Sequence, residues 1–278
     1  MMTMTAPLLL AAAVGAFALI ASACAEQSDN TNMSASQPVS VTRQEWDAAR
    51  AHTVFFGHQS IGENILDGLG KLAAKEGWPA FPVVEANGTA HSASPALLHA
   101  KVGANGDPSS KVVGFKDAMN SGAAAGADIA LMKFCFWDIR RDTNVDKVFD
   151  EYRATLDELS RKYPDVTFLH ATVPLVVKDT DVRAGIRRML GMGVPTDADN
   201  ATREALNQKI RAEYGRSGRV FDIAALEGPA AESIPFLAKE LSSDGAHLND
   251  AGRARVAAGL VKSLSAAASQ RESERGTR

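Results

Sequence analysis

Cysteine is almost missing from this sequence. Only Cys24 and Cys135 occur among 278 residues, so a disulfide framework is excluded, and if Cys24 is removed or acylated no internal bridge can form. The fold must stand on its hydrophobic core. A dominant charge is missing too: 30 basic residues against 33 acidic leave a net charge of −3, which gives no electrostatic reason for a nucleic-acid partner and favours a small or neutral one. Metal-ligand spacing is also lacking. His58, His91, His99 and Asp107 share one region, but no two stand at the spacing of a zinc helix or finger, so no metal is expected. Phosphate loops fare no better, because "GANGDPSSK" (Gly103 to Lys111) has no Gly-Lys-Ser/Thr at the required offset. "GMGVPT" (Gly191 to Thr196) puts a threonine where a dinucleotide fingerprint needs its third glycine. No diffusible cofactor is expected.

The apolar run from Pro7 to Ala23 is too short and too early for a comfortable spanning helix. It reads as a secretory leader over 1–23, although no Lys or Arg precedes it. Ala21-Ser22-Ala23 ahead of Cys24 resembles a bacterial lipoprotein signal, with Cys24 as the lipidation site, apart from Ala21 standing where leucine is usual. Residues 24–42 then read as a flexible polar tether, 43–268 as one domain, and 269–278, "SQRESERGTR" from Ser269, as a disordered charged tail. The expected address is the periplasm or a membrane-anchored lipoprotein, with membrane contact only through that anchor, and the expected state is a monomer.

Within the domain, apolar β-rich runs alternate with segments of helical period. Strands are expected at Thr53–Gly57, Phe81–Glu85, Asp128–Phe136, Val166–Val173 and Arg219–Ala224. Helices are expected at Glu63–Glu76, Ser110–Ser121, Val145–Tyr163, Ala201–Tyr214 (with Asn200 as its N-cap) and Asn249–Ala267. Strands buried on both faces and separated by helices imply parallel pairing, hence an α/β fold: a three-layer α/β/α sandwich on a mainly parallel five-stranded sheet. Ligands of such sheets bind beyond the carboxyl ends of the strands.

At the first of those ends stands Gly57-His58-Gln59-Ser60-Ile61-Gly62. A serine there can present its hydroxyl while the amides of the next helix face developing negative charge; alone, it could equally be a helix cap. Near the C-terminus "SSDGAHLNDAGRARVAAGL" carries Asp244 and His247 three residues apart, ahead of a helix. Serine needs a base to take its proton, and the base needs an acceptor on its far nitrogen. One Asp-x-x-His loop can supply both. His170, inside an apolar strand, reads as a satisfied core histidine.

The serine block after the first strand, a block after the third, and "DGAHLNDAGRARVA" before the last helix resemble the SGNH hydrolases, the GDSL esterase and lipase superfamily. The resemblance spans Thr53 to about Leu264. It implies the flavodoxin-like SGNH fold, and ester or acyl-group hydrolysis without metal or cofactor. Ser60 is then the nucleophile, His247 the general base and Asp244 its orienting partner. The usual Gly-Asp-Ser-Leu is here Gly57-His58-Gln59-Ser60-Ile61, and Trp137 of Cys135-Phe136-Trp137-Asp138 replaces the oxyanion-binding asparagine. Asn144, Asn105 and the Gln59 amide are alternative donors. Gly88 of Asn87-Gly88-Thr89 and Gly106 compete as the glycine of the second block, with Gly106 preferred. His58, Trp137 and Asp138 are expected to line the pocket, and Arg140 and Arg141 to lie on the surface. The implied activity is an exported serine esterase acting on ester-linked acyl groups of a small-molecule, glycan, envelope or lipid substrate. Its irregular blocks support an alternative, a non-catalytic envelope lipoprotein that binds a glycan or small ligand.

Overall fold

The computed structural model describes residues 39–86, 95–228 and 233–276. Of the two units into which the chain divides, 1–31 and 32–278, the second holds every described residue, and it alone is described. The leader, Cys24, most of the tether, Gly88 and His91 lie outside the described residues.

The chain runs α1 (Arg43–Arg50), β1 (Val54–His58), α2 (Ser60–Glu76), β2 (Val83–Glu85), β3 (Leu97–Lys101), α3 (Pro108–Asn120), β4 (Ile129–Met132), α4 (Val145–Lys162), β5 (Thr167–Ala171), α5 (Val182–Met189), α6 (Pro195–Tyr214), β6 (Val220–Phe221), α7 (Ile223–Glu227) and α8 (Asp250–Gly276). All strand pairings are parallel, in the order β2-β3-β1-β4-β5-β6. Without the three-residue edge strand β2 this is the flavodoxin-like order, with β1 at the switch point between β3 and β4.

Alternation along β1 assigns the two hydrophobic layers. Val54 and Phe56 pack with Trp46 of α1, Ile61, Ile65 and Leu69 of α2, and Val256 and Leu260 of α8. Phe55 faces the other way, towards Phe115 of α3, Tyr152 of α4 and Leu206 of α6. The α/β/α sandwich is therefore present, on six strands rather than five. The additional strand, β3, has only Leu97 and Leu98 as a short apolar run before His99 and Lys101, too little to carry a period-2 signal. Its pairing with β1 along all five residues makes it a strand.

Four other expectations change. Helix α1 is additional: Thr42 and Glu45 form a reciprocal capping box at its start, and Trp46 is fully buried. Helix α2 begins at Ser60, not Glu63. Helix α6 begins at Pro195, which suits a first turn, so Asn200 lies inside the helix and is not its cap. The expected tail continues α8 to residue 276. Its anchor is Arg271, a buried guanidinium that donates to the Asp128 carbonyl at 2.7 Å, the Asp128 carboxylate at 3.0 Å and the Asp165 carbonyl. A strongly charged segment gave no sign of that burial.

Candidate active site

Beyond His58 the backbone of Gln59 stays extended, at φ −138° and ψ −160°, and Ser60 is the first helical residue of α2. The helix has no side-chain cap, so Ser60 is not spent as one. As the first residue of the helix, its amide lies ahead of the internal hydrogen-bond ladder. Gln59 turns sideways instead, donating its amide to the carbonyls of Val102 (3.1 Å) and Gly103 (2.9 Å) and tying the serine turn to the loop after β3. Gly62 is required by sterics, because a Cβ there would come within 2.2 Å of the His58 ring. The imidazole of His58 lies under the first turn of α2, fully buried.

His58 is therefore not pocket-lining. Its Nδ1 faces the Gln59 carbonyl at 2.9 Å and its Nε2 faces His99 Nδ1 at 3.0 Å. That geometry fits a proton on each Nδ1, with His58 Nε2 accepting. Burial pushes the pKa of His58 down to about 4, and burial lowers His99 as well. Asp107, from the same group, caps α3 through Ser110 N at 3.0 Å. Among the described residues no three His, Cys, Asp or Glu side chains converge on a common point.

The loop before α8 comes back to this turn. His247 Nε2 lies 3.2 Å from Ser60 Oγ, and His247 Nδ1 lies 2.7 Å from Asp244 Oδ2. The other carboxylate oxygen, Oδ1, accepts the amides of Ala246 (2.9 Å) and His247 (2.7 Å). These two amides, then the imidazole, hold the Asp244 pKa down at about 2. An ionised carboxylate beside Nδ1 places the ring proton there and leaves the Nε2 lone pair for the serine hydroxyl. The turn itself needs Gly245 at φ +95°.

Several side chains that the sequence reading missed hold this arrangement. Phe136 meets the His247 ring edge-on, with centroids 5.7 Å apart. Buried Arg203 donates to the Phe136 carbonyl at 2.9 Å. Asn64 of α2 accepts Leu248 N at 3.2 Å. Val177 N donates to the Gly245 carbonyl at 2.8 Å, joining the loop to the extended segment after β5. Among the described residues that segment pairs with no strand, and three buried side chains take the strand's place. Asn207 pairs with both backbone groups of Val173 (2.7 and 3.1 Å), Asn200 with both of Val176 (3.2 and 2.8 Å), and Glu227 accepts Leu175 N at 2.6 Å. Pairing from α6 and α7 was invisible in the sequence because an asparagine inside a helix carries no mark of its tertiary partner.

The expected oxyanion donors are mostly engaged elsewhere. Gly106 N donates to Asp138 Oδ1 at 2.8 Å. The Gln59 amide is used as described, while Asn144 sits at the N-cap of α4, where its Oδ1 accepts Lys147 N at 3.0 Å. Asn105 accepts Lys111 Nζ through Oδ1 at 2.9 Å; its amide group makes no hydrogen bond among the described residues. Asp138 is a buried bracket rather than a wall of an open pocket: Oδ2 accepts Cys135 N at 2.7 Å and lies 3.9 Å from buried Lys111 Nζ. Burial pushes its pKa up, opposed by those two amides. Trp137 is half exposed, lies beside Gly106, and carries the Arg140 guanidinium 4.7 Å from its ring centroid. His170 sits in the core, bonded to Tyr152 Oη at 2.9 Å and stacked on Tyr214.

No protein-family model matches the chain, and no curated protein matches it. Two solved structures can be set beside it. One, from Streptococcus pneumonia and provisionally described as a platelet activating factor, is 14% identical, covers 80% of this chain and 91% of its own, and superposes with a TM-score of 0.47. The other, provisionally described as a lipolytic protein of the G-D-S-L family from Desulfitobacterium hafniense, is 9% identical over 76% of this chain and 99% of its own, with a TM-score of 0.47. In its own sheet order, and in the meeting of Ser60, His247 and Asp244 after the first strand and before the last helix, the chain resembles the SGNH hydrolases and departs from them at Gln59 and Trp137.

Proposed function

We propose that the chain is a serine esterase of the SGNH type. The observation that carries this reading is the continuous relay from Ser60 Oγ through both nitrogens of His247 to Asp244, between residues 187 apart in the chain. In the proposed cycle Ser60 Oγ attacks the ester carbonyl as His247 Nε2 takes its proton. The tetrahedral adduct collapses, the alcohol leaves with that proton, and water, deprotonated by His247, releases the acid from Ser60. Asp244 holds the ring and stabilises it while charged. The oxyanion is met by the Ser60 amide at the positive end of α2. Gly106 can join it only by releasing Asp138. One missing donor costs about 10²–10³-fold in turnover, so a modest rate is expected.

The leader-like segment and Cys24 support export to the periplasm or a lipid-anchored position. That address suggests acylated glycan, envelope or lipid esters as substrates, and half-exposed Trp137 offers a face for a sugar ring. The rival reading, a binding protein on the same fold, is favoured by the engaged Gly106 amide and by Trp137 in the asparagine's place. Short-chain aryl ester hydrolysis by the full chain, alongside Ser60→Ala and His247→Ala, separates the two. Esterase chemistry requires each variant to lose about 10³-fold or more; equal rates for all three proteins would favour the binding protein.

A further inference from the structure

Five of the eight large hydrophobic side chains that stand exposed among the described residues lie within eleven positions of one another: Val182, Ile186, Met189, Leu190 and Met192. Val182, Ile186 and Met189 follow the i, i+4, i+7 spacing of one helix face, and Leu190 continues it. Val182 and Met189 are 79% and 78% exposed. Meanwhile the opposite side of α5 is fixed. Ala184 is buried, Arg188 grips Asp197 through two bonds of 2.8 and 2.7 Å and donates to the Asp179 carbonyl at 2.6 Å, and Arg187 donates to the Gly193 carbonyl at 2.8 Å. The helix is thus tied to both ends of its own excursion and to the first turn of α6 with its apolar side outward, the kind of exposed patch that marks an interaction surface.

The neighbouring charge says what that surface meets. Arg183 borders the apolar arc on α5, is exposed, and makes no ion pair among the described residues. A short helix with an apolar side bordered by arginine lies in the plane of an anionic lipid surface. We propose that α5 docks the domain on an anionic lipid bilayer, with Val182, Ile186 and Met189 entering the headgroup boundary and Arg183 pairing with lipid phosphate. The position suits such a surface. The excursion that carries α5 (Val182–Met189) begins a few residues after Val177, whose amide holds the Gly245 carbonyl in the Asp244–His247 loop, so one connection joins the docking helix to the site loop. The polar stretch from Ala25 to Ser40 could reach up to about 55 Å when extended, ample for an anchored chain to lay this face down.

The test uses residues 32–278, the compact unit that holds all the described elements and lacks the apolar run at Pro7 to Ala23. Cosedimentation is measured with vesicles of phosphatidylcholine alone and with phosphatidylglycerol added. Binding is expected to the anionic vesicles only, weakened about ten-fold or more by Val182→Ser/Ile186→Ser/Met189→Ser and about five-fold by Arg183→Gln. All three substituted apolar residues are exposed, so an unchanged melting temperature checks the fold. The readout is binding, independent of whether Ser60 is a nucleophile. No binding to anionic vesicles, equal binding to neutral ones, or undiminished binding by the triple variant would each overturn the proposal. So would a wild-type dimer that the triple variant loses without any vesicle binding, which would assign the face to a second copy.

Discussion

A serine hydroxyl is a nucleophile only while an unprotonated imidazole stands beside it, and the imidazole serves only if its other nitrogen is held. Asp244 provides that hold, and with its pKa held down at about 2 by the His247 and Ala246 amides and then the imidazole, it stays ionised well into acid, so loss of its charge should not limit activity above that pH. Asp244→Asn keeps an oxygen for the two backbone amides but removes the charge that fixes the Nδ1 proton. Turnover of an aryl ester should fall by roughly 10²–10⁴-fold with KM little changed, and a kcat within a few-fold of wild type would show that the carboxylate does no orienting. Gly62 tests the turn from beneath. In Gly62→Ala the new methyl meets the His58 ring, and the account predicts a loss of about 1–3 kcal/mol in denaturant unfolding from overpacking. Unchanged stability would mean that the imidazole is free to move aside. Both halves of the Ser60–His247–Asp244 arrangement were legible at this scale, since Ser60 and Asp244-x-x-His247 each stand beside recognisable strand and helix signals. The second roles of Gln59, Gly106 and Asp138 were not legible, because a side chain that could donate to a substrate is chemically identical to one already bonded to a backbone carbonyl.

At the scale of elements, the segment from Val173 to Val177 behaves as a strand whose partners are side chains. Glu227, the deepest of these, has one oxygen on Leu175 N and the other without a partner among the described residues, and burial pushes its pKa up to about 8. The sign follows directly: a proton held more tightly in the folded than in the unfolded state contributes stability that is complete below about pH 4.5 and is lost as pH rises through about 8. Glu227→Gln keeps an acceptor for Leu175 without the titrating proton. Its stability relative to wild type should therefore rise between pH 5 and pH 8, read from urea midpoints at the two values, and a constant difference would place an ionised carboxylate at this position throughout. The helix and strand alternation that predicted the sandwich was clear for β1, β4 and β5, whose apolar runs are buried on both faces. Strand β3 was missed because its partners on both sides, rather than its own composition, define it. Helix α1 was legible in hindsight from Thr42-x-x-Glu45, a cap signal with too few turns behind it to register as a period.

For the molecule as a whole, two hydrophobic layers on either side of one parallel sheet carry the fold, and charged groups close its edges. Arg271 is the clearest case, tying the end of α8 to the starts of β4 and β5 through Asp128 and Asp165. Truncation after Ser269 should lower stability by roughly 2–3 kcal/mol, the worth of hydrogen bonds to a charged group. A disordered tail would make the truncation neutral in the same denaturation experiment. The layered α/β architecture was the most legible of all, because burial on both faces of a strand is written in its composition. Long-range electrostatic anchoring such as this one leaves no local pattern.

The central claim, that Ser60 is an activated nucleophile, is tested most directly by treating the full chain with a fluorophosphonate and locating the adduct by peptide mass spectrometry. One adduct is expected, on Ser60, absent in Ser60→Ala and strongly suppressed in His247→Ala. An adduct elsewhere, none at all, or labelling of Ser60 that is indifferent to His247 would contradict it.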